Sequence, residues 1–151
     1  MRYAKLVFIL LVPAIALMAA DPFVGTWKLN PAKSKFKAGA PYREATLTIS
    51  ESGSDLDVAL KGTAGNGAPV SAHYTVPANG GTGKIVEAPY DAVSSKRLNA
   101  RESEITYSKG GKVSYTTHSK VSKDGKTVTV ASKGTNAAGQ TVDGITVYDK
   151  Q

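Results

Sequence analysis

The chain has 151 residues, no cysteine and a formal net charge of +7. This length fits a single domain, and the missing cysteine excludes disulfide bonds, a thiol nucleophile, a cysteine-bound zinc site and a cysteine-linked lipid anchor. The basic residues are scattered along the chain, without the recognition helix or stacking aromatics of a nucleic-acid surface. We therefore predict no nucleic-acid partner.

Residues 1–20 have the pattern of a secretory signal peptide. Arg2 and Lys5 form a basic start, fifteen mostly apolar residues follow from Leu6 to Ala20, and Asp21 is polar. As a helix, such a run would rise about 22 Å, which is short of the roughly 30 Å hydrocarbon core of a bilayer. We predict that it is cleaved, leaving an exported domain at 21–151 in the periplasm or outside the cell, without a membrane span.

After residue 21, apolar and polar residues alternate in seven short segments. Period-two alternation places one side of a strand on a core and the other in water. Turns such as Asp124-Gly125 separate the segments, as in antiparallel hairpins. The positions predicted to face inward are Ala45, Leu47, Ile49, Leu56, Val58, Leu60, Val70, Ala72, Tyr74, Val76, Ile105, Tyr107, Val113, Tyr115, Thr117, Val128, Val130, Ile145 and Val147.

The order of these segments predicts an all-β, single-domain, up-and-down antiparallel β-barrel. A meander of neighbouring strands closes on itself because closure removes exposed sheet edges. Outward residues such as Lys61 and Lys133 exclude a lipid-facing surface. Residues 77–97 are less regular, interrupted by Gly80, Gly81 and Pro89, and predict either a long loop at the barrel mouth or a distorted edge strand.

Both ends of the domain carry a family resemblance. The segments 23–36, with Gly25 and Trp27, and 122–151 resemble small exported bacterial proteins with lipocalin-like barrels. The resemblance implies a lipocalin-like barrel and an exported location, and no established reaction. In lipocalins the matching tryptophan closes one barrel end beneath a basic residue from a late strand. No arginine follows Arg101, so the resemblance implies a lysine in that place, or no such residue.

Reactive groups are sparse, and we predict neither a metal site, nor a cofactor, nor catalysis. His73 and His118 lie at outward positions on separate segments, without further ligands or a nearby nucleophile. The acid pairs 55/57 and 102/104 also lie on outward faces. An enzyme using a tyrosine in the barrel mouth as general acid is the weakest alternative, since no inward charged residue would assist it.

The predicted function is non-catalytic binding of a small, mostly apolar ligand inside the barrel. Small inward residues (Ala45, Ala72, Ala100 and Thr117) favour a cavity over a fully packed core, which is the alternative. The candidate ligand-lining residues are Trp27, Tyr74, Leu98, Ile105, Tyr107, Tyr115 and Val130. The alternative function is an envelope-associated protein-interaction module that uses its basic outer face or the 77–97 segment.

Overall fold

A computed structural model describes residues 19–38 and 42–151. All but two residues of the predicted signal peptide lie outside this range. In the described residues the regular elements are strands, and no helix is long and apolar enough to cross a membrane. The strands are β1 (Gly25–Leu29), β2 (Lys35–Ala38), β3 (Tyr42–Ser52), β4 (Asp55–Ala64), β5 (Pro69–Pro77), β6 (Gly80–Thr82), β7 (Lys84–Glu87), β8 (Ala92–Asn99), β9 (Glu102–Lys109), β10 (Lys112–Val121), β11 (Thr127–Thr135) and β12 (Thr141–Lys150).

The strands form one antiparallel sheet that curls into a nearly closed barrel. Its order is β6-β8-β9-β10-β11-β12-β1-β3-β4-β5-β7, and β2 also pairs with β12. Most neighbours in the sheet are also neighbours in sequence, as short turns such as the one at Gly125 (φ +70°) require. The all-β antiparallel barrel predicted from the alternating segments is confirmed.

Residues 80–87 span the gap between β8 and β5 in the nearly closed barrel. The first half, β6, pairs with β8, and the second half, β7, pairs with β5. Between them, the amide of Gly83 donates a hydrogen bond to the carbonyl of Val93 at 2.9 Å. A Cβ at Gly83 would collide with the Thr75 carbonyl oxygen, so only glycine lets the chain cross here. The 77–97 stretch is therefore not a long mouth loop. It contains β6 and β7, the two short strands at the ends of the sheet order, as the alternative of a distorted edge predicted.

One end of the barrel is closed around Trp27, whose side chain is fully buried. Its indole nitrogen donates to the carbonyl of Phe23 at 2.9 Å, and the ammonium of Lys150, on the last strand, lies 5.0 Å from the ring centroid. Gly25, two residues before Trp27, has a φ of +146°, which L side chains rarely adopt, so the chain requires glycine here. The resemblance implied either a lysine or no basic residue over this tryptophan, and the structure places Lys150 there.

On two strands, some apolar residues lie on the opposite face from the one that the alternation predicts. On β10, the pairing with β9 is irregular between Val113 and Tyr115, and Val113 lies outside with 67% of its surface exposed. The prediction of an inward Val113 is therefore wrong. A strand that gains or loses one residue in its pairing moves the following side chains to the opposite face.

On β12 the predicted face is inverted. Thr146 and Tyr148 pair with inward positions of β11, so Ile145 and Val147 point outward, contrary to prediction. Val147 is nevertheless buried, because the turn after β1 covers it and Ser34 accepts a hydrogen bond from the Val147 amide at 2.9 Å. An apolar residue covered by a loop is thus indistinguishable in sequence from one that faces the core.

Candidate ligand-binding cavity

The barrel interior contains a cavity of about 120 Å³. Its size is close to that of an engineered cavity of roughly 150 Å³ that takes up benzene. The cavity is lined by Phe23, Tyr42, Leu47, Ile49, Leu56, Val58, Leu60, Ala72, Tyr74, Val76, Pro77, Ala78, Ser95, Ser103, Ile105, Tyr107, Tyr115, Thr117, Ser119, Val130, Ser132, Thr146 and Tyr148. The described residues therefore form a barrel with an internal cavity, and not the fully packed core of the alternative.

One side of the cavity is apolar. We call it the apolar wall; it comprises the inward aliphatic residues of β3, β4 and β5, namely Leu47, Ile49, Leu56, Val58, Leu60, Ala72 and Val76. Their register sets them in rows, since Leu47 pairs with Leu60 and Leu60 with Ala72. All of them were predicted to face inward from the strict alternation of their strands, and all line the cavity.

The opposite side carries hydroxyl groups. We call it the hydroxyl wall; it comprises the inward serines and threonines of β8 to β12, namely Ser95, Ser103, Thr117, Ser119, Ser132 and Thr146. Their register sets them in adjacent rows, since Thr117 pairs with Ser132 and Ser119 with Ser103. Such a wall can both donate and accept hydrogen bonds.

Half of these hydroxyls are available to a ligand. Ser95 donates to the Pro77 carbonyl at 3.0 Å, Ser103 donates to the Lys96 carbonyl at 3.4 Å, and Ser132 accepts from the hydroxyl of Tyr115 at 3.0 Å. Within the described residues, no hydrogen bond involves the hydroxyls of Thr117, Ser119 or Thr146, although no fully buried polar side-chain atom lacks a partner. These three hydroxyls therefore open onto the cavity.

Tyrosine rings form another part of the cavity lining. The hydroxyls of Tyr74 and Tyr107 are hydrogen bonded at 2.8 Å, and their rings meet edge to face with centroids 5.6 Å apart. Tyr107 also packs against Tyr115 at 5.3 Å. Tyr90, between β7 and β8, stacks on Tyr115 with centroids 6.3 Å apart and does not line the cavity. Its ring therefore adds an outer layer to the cluster.

Burial keeps these tyrosines neutral. It raises the pKa of Tyr74 to about 12, partly offset by the hydrogen bond with Tyr107, and it raises the pKa of Tyr107 further above its usual range. The pKa values of Tyr42, Tyr115 and Tyr148 are raised by the same cause. No Asp, Glu, Lys, Arg or His belongs to the described lining, so the cavity carries no charge near neutral pH.

The structure places five of the seven candidate ligand-lining residues at the cavity: Tyr74, Ile105, Tyr107, Tyr115 and Val130. Trp27 is buried at the closed end, outside the lining. Leu98 is 40% exposed, at an irregularity of the β8–β9 pairing, so the prediction that it faces inward is wrong. Ala100 lies exposed in the turn that follows β8. That any of these residues binds a ligand stays a prediction.

Sequence reasoning missed ten lining residues. They are Phe23, Tyr42, Pro77, Ala78, Ser95, Ser103, Ser119, Ser132, Thr146 and Tyr148. Serine and threonine occur on both faces of these strands, so composition does not distinguish the inner ones. The one usable signal was the strand pairing itself, because a residue opposite an inward Val128 or Val130 must also face inward.

The outer surface carries the ionisable pairs. His73 contacts Asp57 at 3.0 Å and His118 contacts Glu102 at 3.2 Å, all on outward positions. Among the described residues no group of three or more His, Asp or Glu could hold a metal ion. An outer groove of about 590 Å³ between β2 and the outer faces of β9–β12 is lined by polar and apolar residues that include Lys35, Lys133 and Ile145.

Fold and cavity together define an antiparallel β-barrel with an uncharged internal cavity. No protein-family model and no curated protein matches the chain. Among solved structures it is similar to a redesigned β-barrel, mFAP1, bound to DFHBI, at 15% identity and a TM-score of 0.44, covering 87% of this chain and 98% of that one. It is also similar to a second solved structure, a de novo designed fluorescence-activating β-barrel, at 19% identity and a TM-score of 0.44, covering 88% of this chain and 97% of that one.

Proposed function

We propose that this protein is a non-catalytic binding protein that holds a small, mostly apolar ligand inside its barrel. The observation that carries the proposal is the uncharged cavity of about 120 Å³ between the apolar wall and the hydroxyl wall. Binding sites for small molecules are concave, mostly apolar and supplied with a few polar groups that fix orientation. This cavity has all three properties.

The size of the cavity limits the affinity. A ligand with about seven non-hydrogen atoms has a ceiling near −10 kcal/mol, because even the best small ligands gain at most about 1.5 kcal/mol per atom. Ordering and imperfect polar contacts reduce this value. We therefore expect a dissociation constant in the micromolar range, which corresponds to about −8 kcal/mol.

Two features support the absence of catalysis in this proposal. No carboxylate or imidazole belongs to the described lining, so no general base lies beside a bound molecule. The lining tyrosines are also poor proton donors, because burial raises the pKa of Tyr74 to about 12 and shifts Tyr107 in the same direction. A general acid works best when its pKa lies near the working pH.

The proposal includes export and a lipocalin-like barrel. Export rests on the basic and apolar pattern of residues 1–20. The lipocalin-like assignment is supported by the closed end, where Lys150 of the last strand lies over the ring of Trp27. Neither the ligand chemistry nor the binding site depends on the compartment.

Native mass spectrometry of the mature protein, purified from its own host, tests the proposal. We expect a small-molecule adduct that disappears on denaturation. Thr117→Leu fills part of the cavity and should remove the adduct, whereas Thr116→Leu, on the exposed face of the same strand, should retain it. An adduct that persists in Thr117→Leu, or no adduct together with no binding of small apolar probes, would contradict the proposal.

The alternative of an envelope-associated interaction module is supported by the outer groove, where Lys35, Lys37 and Lys133 lie together. The 77–97 segment no longer suits this role, because it forms part of the barrel wall. Lys35→Glu with Lys37→Glu should abolish capture of a partner from an envelope extract without changing stability. Capture that survives this charge reversal would reject the alternative.

A further inference from the structure

Building on the proposed binding function, we propose that the ligand is a neutral phenol with a single ring. Its ring lies against the apolar wall and the tyrosines, and its hydroxyl points at the hydroxyl wall. Three observations carry this assignment: the unpartnered hydroxyls, the absence of charge in the lining, and the aromatic rings.

The unpartnered hydroxyls favour a ligand with a group that can both donate and accept. Thr117 and Thr146 are 7% and 4% exposed, and with Ser119 they open onto the cavity without a hydrogen bond to another described residue. A ligand hydroxyl can accept a hydrogen bond from one of these groups and donate to a second. A hydrocarbon would leave them unpaired, which lowers affinity.

The absence of charge excludes ionised ligands. No basic side chain belongs to the described lining to pair with a carboxylate or phosphate, and no acidic one to pair with an amine. Burying an unpaired charge in such a site is strongly unfavourable. The ligand's polar group must therefore be neutral near pH 7, as a phenolic hydroxyl is.

The aromatic rings and the size of the cavity favour a single ring. Tyr74, Tyr107 and Tyr115 line the cavity and already pair with one another at centroid distances of 5.3 to 5.6 Å. Aromatic rings prefer edge-to-face or offset neighbours at such distances. A volume of about 120 Å³ admits one six-membered ring with a small substituent and no fused system.

Isothermal titration calorimetry with four probes of similar size tests the assignment at neutral pH. The probes are phenol, toluene, cyclohexanol and benzoate. We expect phenol to bind about tenfold more tightly than toluene, because toluene leaves the cavity hydroxyls unpaired. We expect phenol to bind several-fold more tightly than cyclohexanol, which lacks the aromatic ring. Benzoate should give no binding signal at concentrations that saturate with phenol.

A pair of double variants links the preference to the hydroxyl wall. Thr117→Val with Thr146→Val removes two cavity hydroxyls at nearly constant volume and should reduce the preference for phenol over toluene to about twofold or less. Thr106→Val with Thr116→Val makes the same change on outward positions of β9 and β10 and should leave the preference unchanged.

The outcomes separate this assignment from the proposed function. Toluene or cyclohexanol binding at least as tightly as phenol would overturn the assignment and leave small-molecule binding intact. A phenol preference that survives Thr117→Val with Thr146→Val would also overturn it. If none of the four probes binds and the purified protein carries no adduct, the proposed function fails together with the assignment.

Discussion

The two walls of the barrel have the same architecture and opposite chemistry. In both, antiparallel strands pair with their sequence neighbours. The strands β3–β5 present mainly aliphatic side chains to the cavity, whereas β8–β12 present six serines and threonines beside Ile105, Val130 and tyrosine rings. Aliphatic burial stabilises the fold at roughly 25 cal/mol per Å² of buried apolar surface, whereas a hydroxyl without a partner contributes little. The apolar wall therefore stabilises the barrel, and the hydroxyl wall is available for selecting a ligand.

A charge placed on the hydroxyl wall should give the largest reduction in the free energy of unfolding. Thr146→Lys puts an ammonium into the uncharged interior, and we expect a loss of more than about 4 kcal/mol in the free energy of unfolding. Ile145→Lys, one residue away and 41% exposed, should change it by less than about 1 kcal/mol. Urea denaturation monitored by circular dichroism measures both. Equal losses would mean that the assigned faces of β12 are wrong.

Alkaline pH should weaken the tyrosine contact that joins a strand of the apolar wall to a strand of the hydroxyl wall. Burial raises the pKa of Tyr74, on β5, to about 12, and Tyr74 is hydrogen bonded to Tyr107 on β9. Because the unfolded chain loses this proton near pH 10, the contribution of the group is complete below about pH 10 and is lost as pH rises through 12. The shift corresponds to about 2 to 3 kcal/mol.

Thermal unfolding followed at increasing pH measures this loss, with phenolate absorbance as the readout of ionisation. We expect phenolate absorbance to appear with unfolding and not before it. Tyr74→Phe is the matched variant and should show a smaller loss of stability between pH 10 and 12. Tyrosines that ionise near pH 10 in the folded protein would contradict their burial.

Exchanging valine and threonine between the walls should give a moderate and asymmetric effect. Val58→Thr puts an unpaired hydroxyl into the apolar wall and should cost about 1 to 2 kcal/mol. Thr117→Val removes a hydroxyl that lines the cavity and has no hydrogen bond to another described residue, so the free energy of unfolding should change by less than about 0.5 kcal/mol or rise. Equal destabilisation by the two exchanges, measured by urea denaturation, would abolish the distinction between the walls.

The smallest change in the free energy of unfolding is expected from a substitution at Leu98, a residue of β8 that lies outside the hydroxyl wall. Because 40% of its surface is exposed, Leu98→Ser should change the free energy of unfolding by no more than about 0.5 kcal/mol. Ile105→Ser, on the adjacent strand and in the cavity lining, should cost at least about 2 kcal/mol. The same denaturation assay compares them, and a larger loss for Leu98→Ser would show that Leu98 packs inside.

The walls also differ in how well the sequence predicts them. On β3–β5, apolar residues alternate without interruption, as in Leu56-Asp57-Val58, and all the positions predicted to face inward line the cavity except Ala45 and Val70. On β8–β12, the apolar residues mark the inner face only in part, since Ile105, Tyr107, Tyr115 and Val130 line the cavity as predicted and others do not. Leu98 and Val113 sit at pairing irregularities, and Ile145 points outward on β12.

The physical reason is that sequence alternation reports hydrophobicity, while the inner face is set by strand register. Where the inner residues are serine or threonine, as at Ser119 and Thr146, hydrophobicity no longer identifies them. The barrel could thus be predicted from the apolar strands and turns. The polar half of the site depended on pairing between strands that only the structure defines.

A nuclear Overhauser experiment with phenol and methyl-labelled protein tests most directly whether a small molecule lies between the walls. We predict contacts from the ring protons to the methyl groups of Val58, in the apolar wall, and of Thr117, in the hydroxyl wall. Contacts confined to Ile145, in the outer groove, or no contacts to the two walls at saturating phenol, would contradict binding inside the barrel.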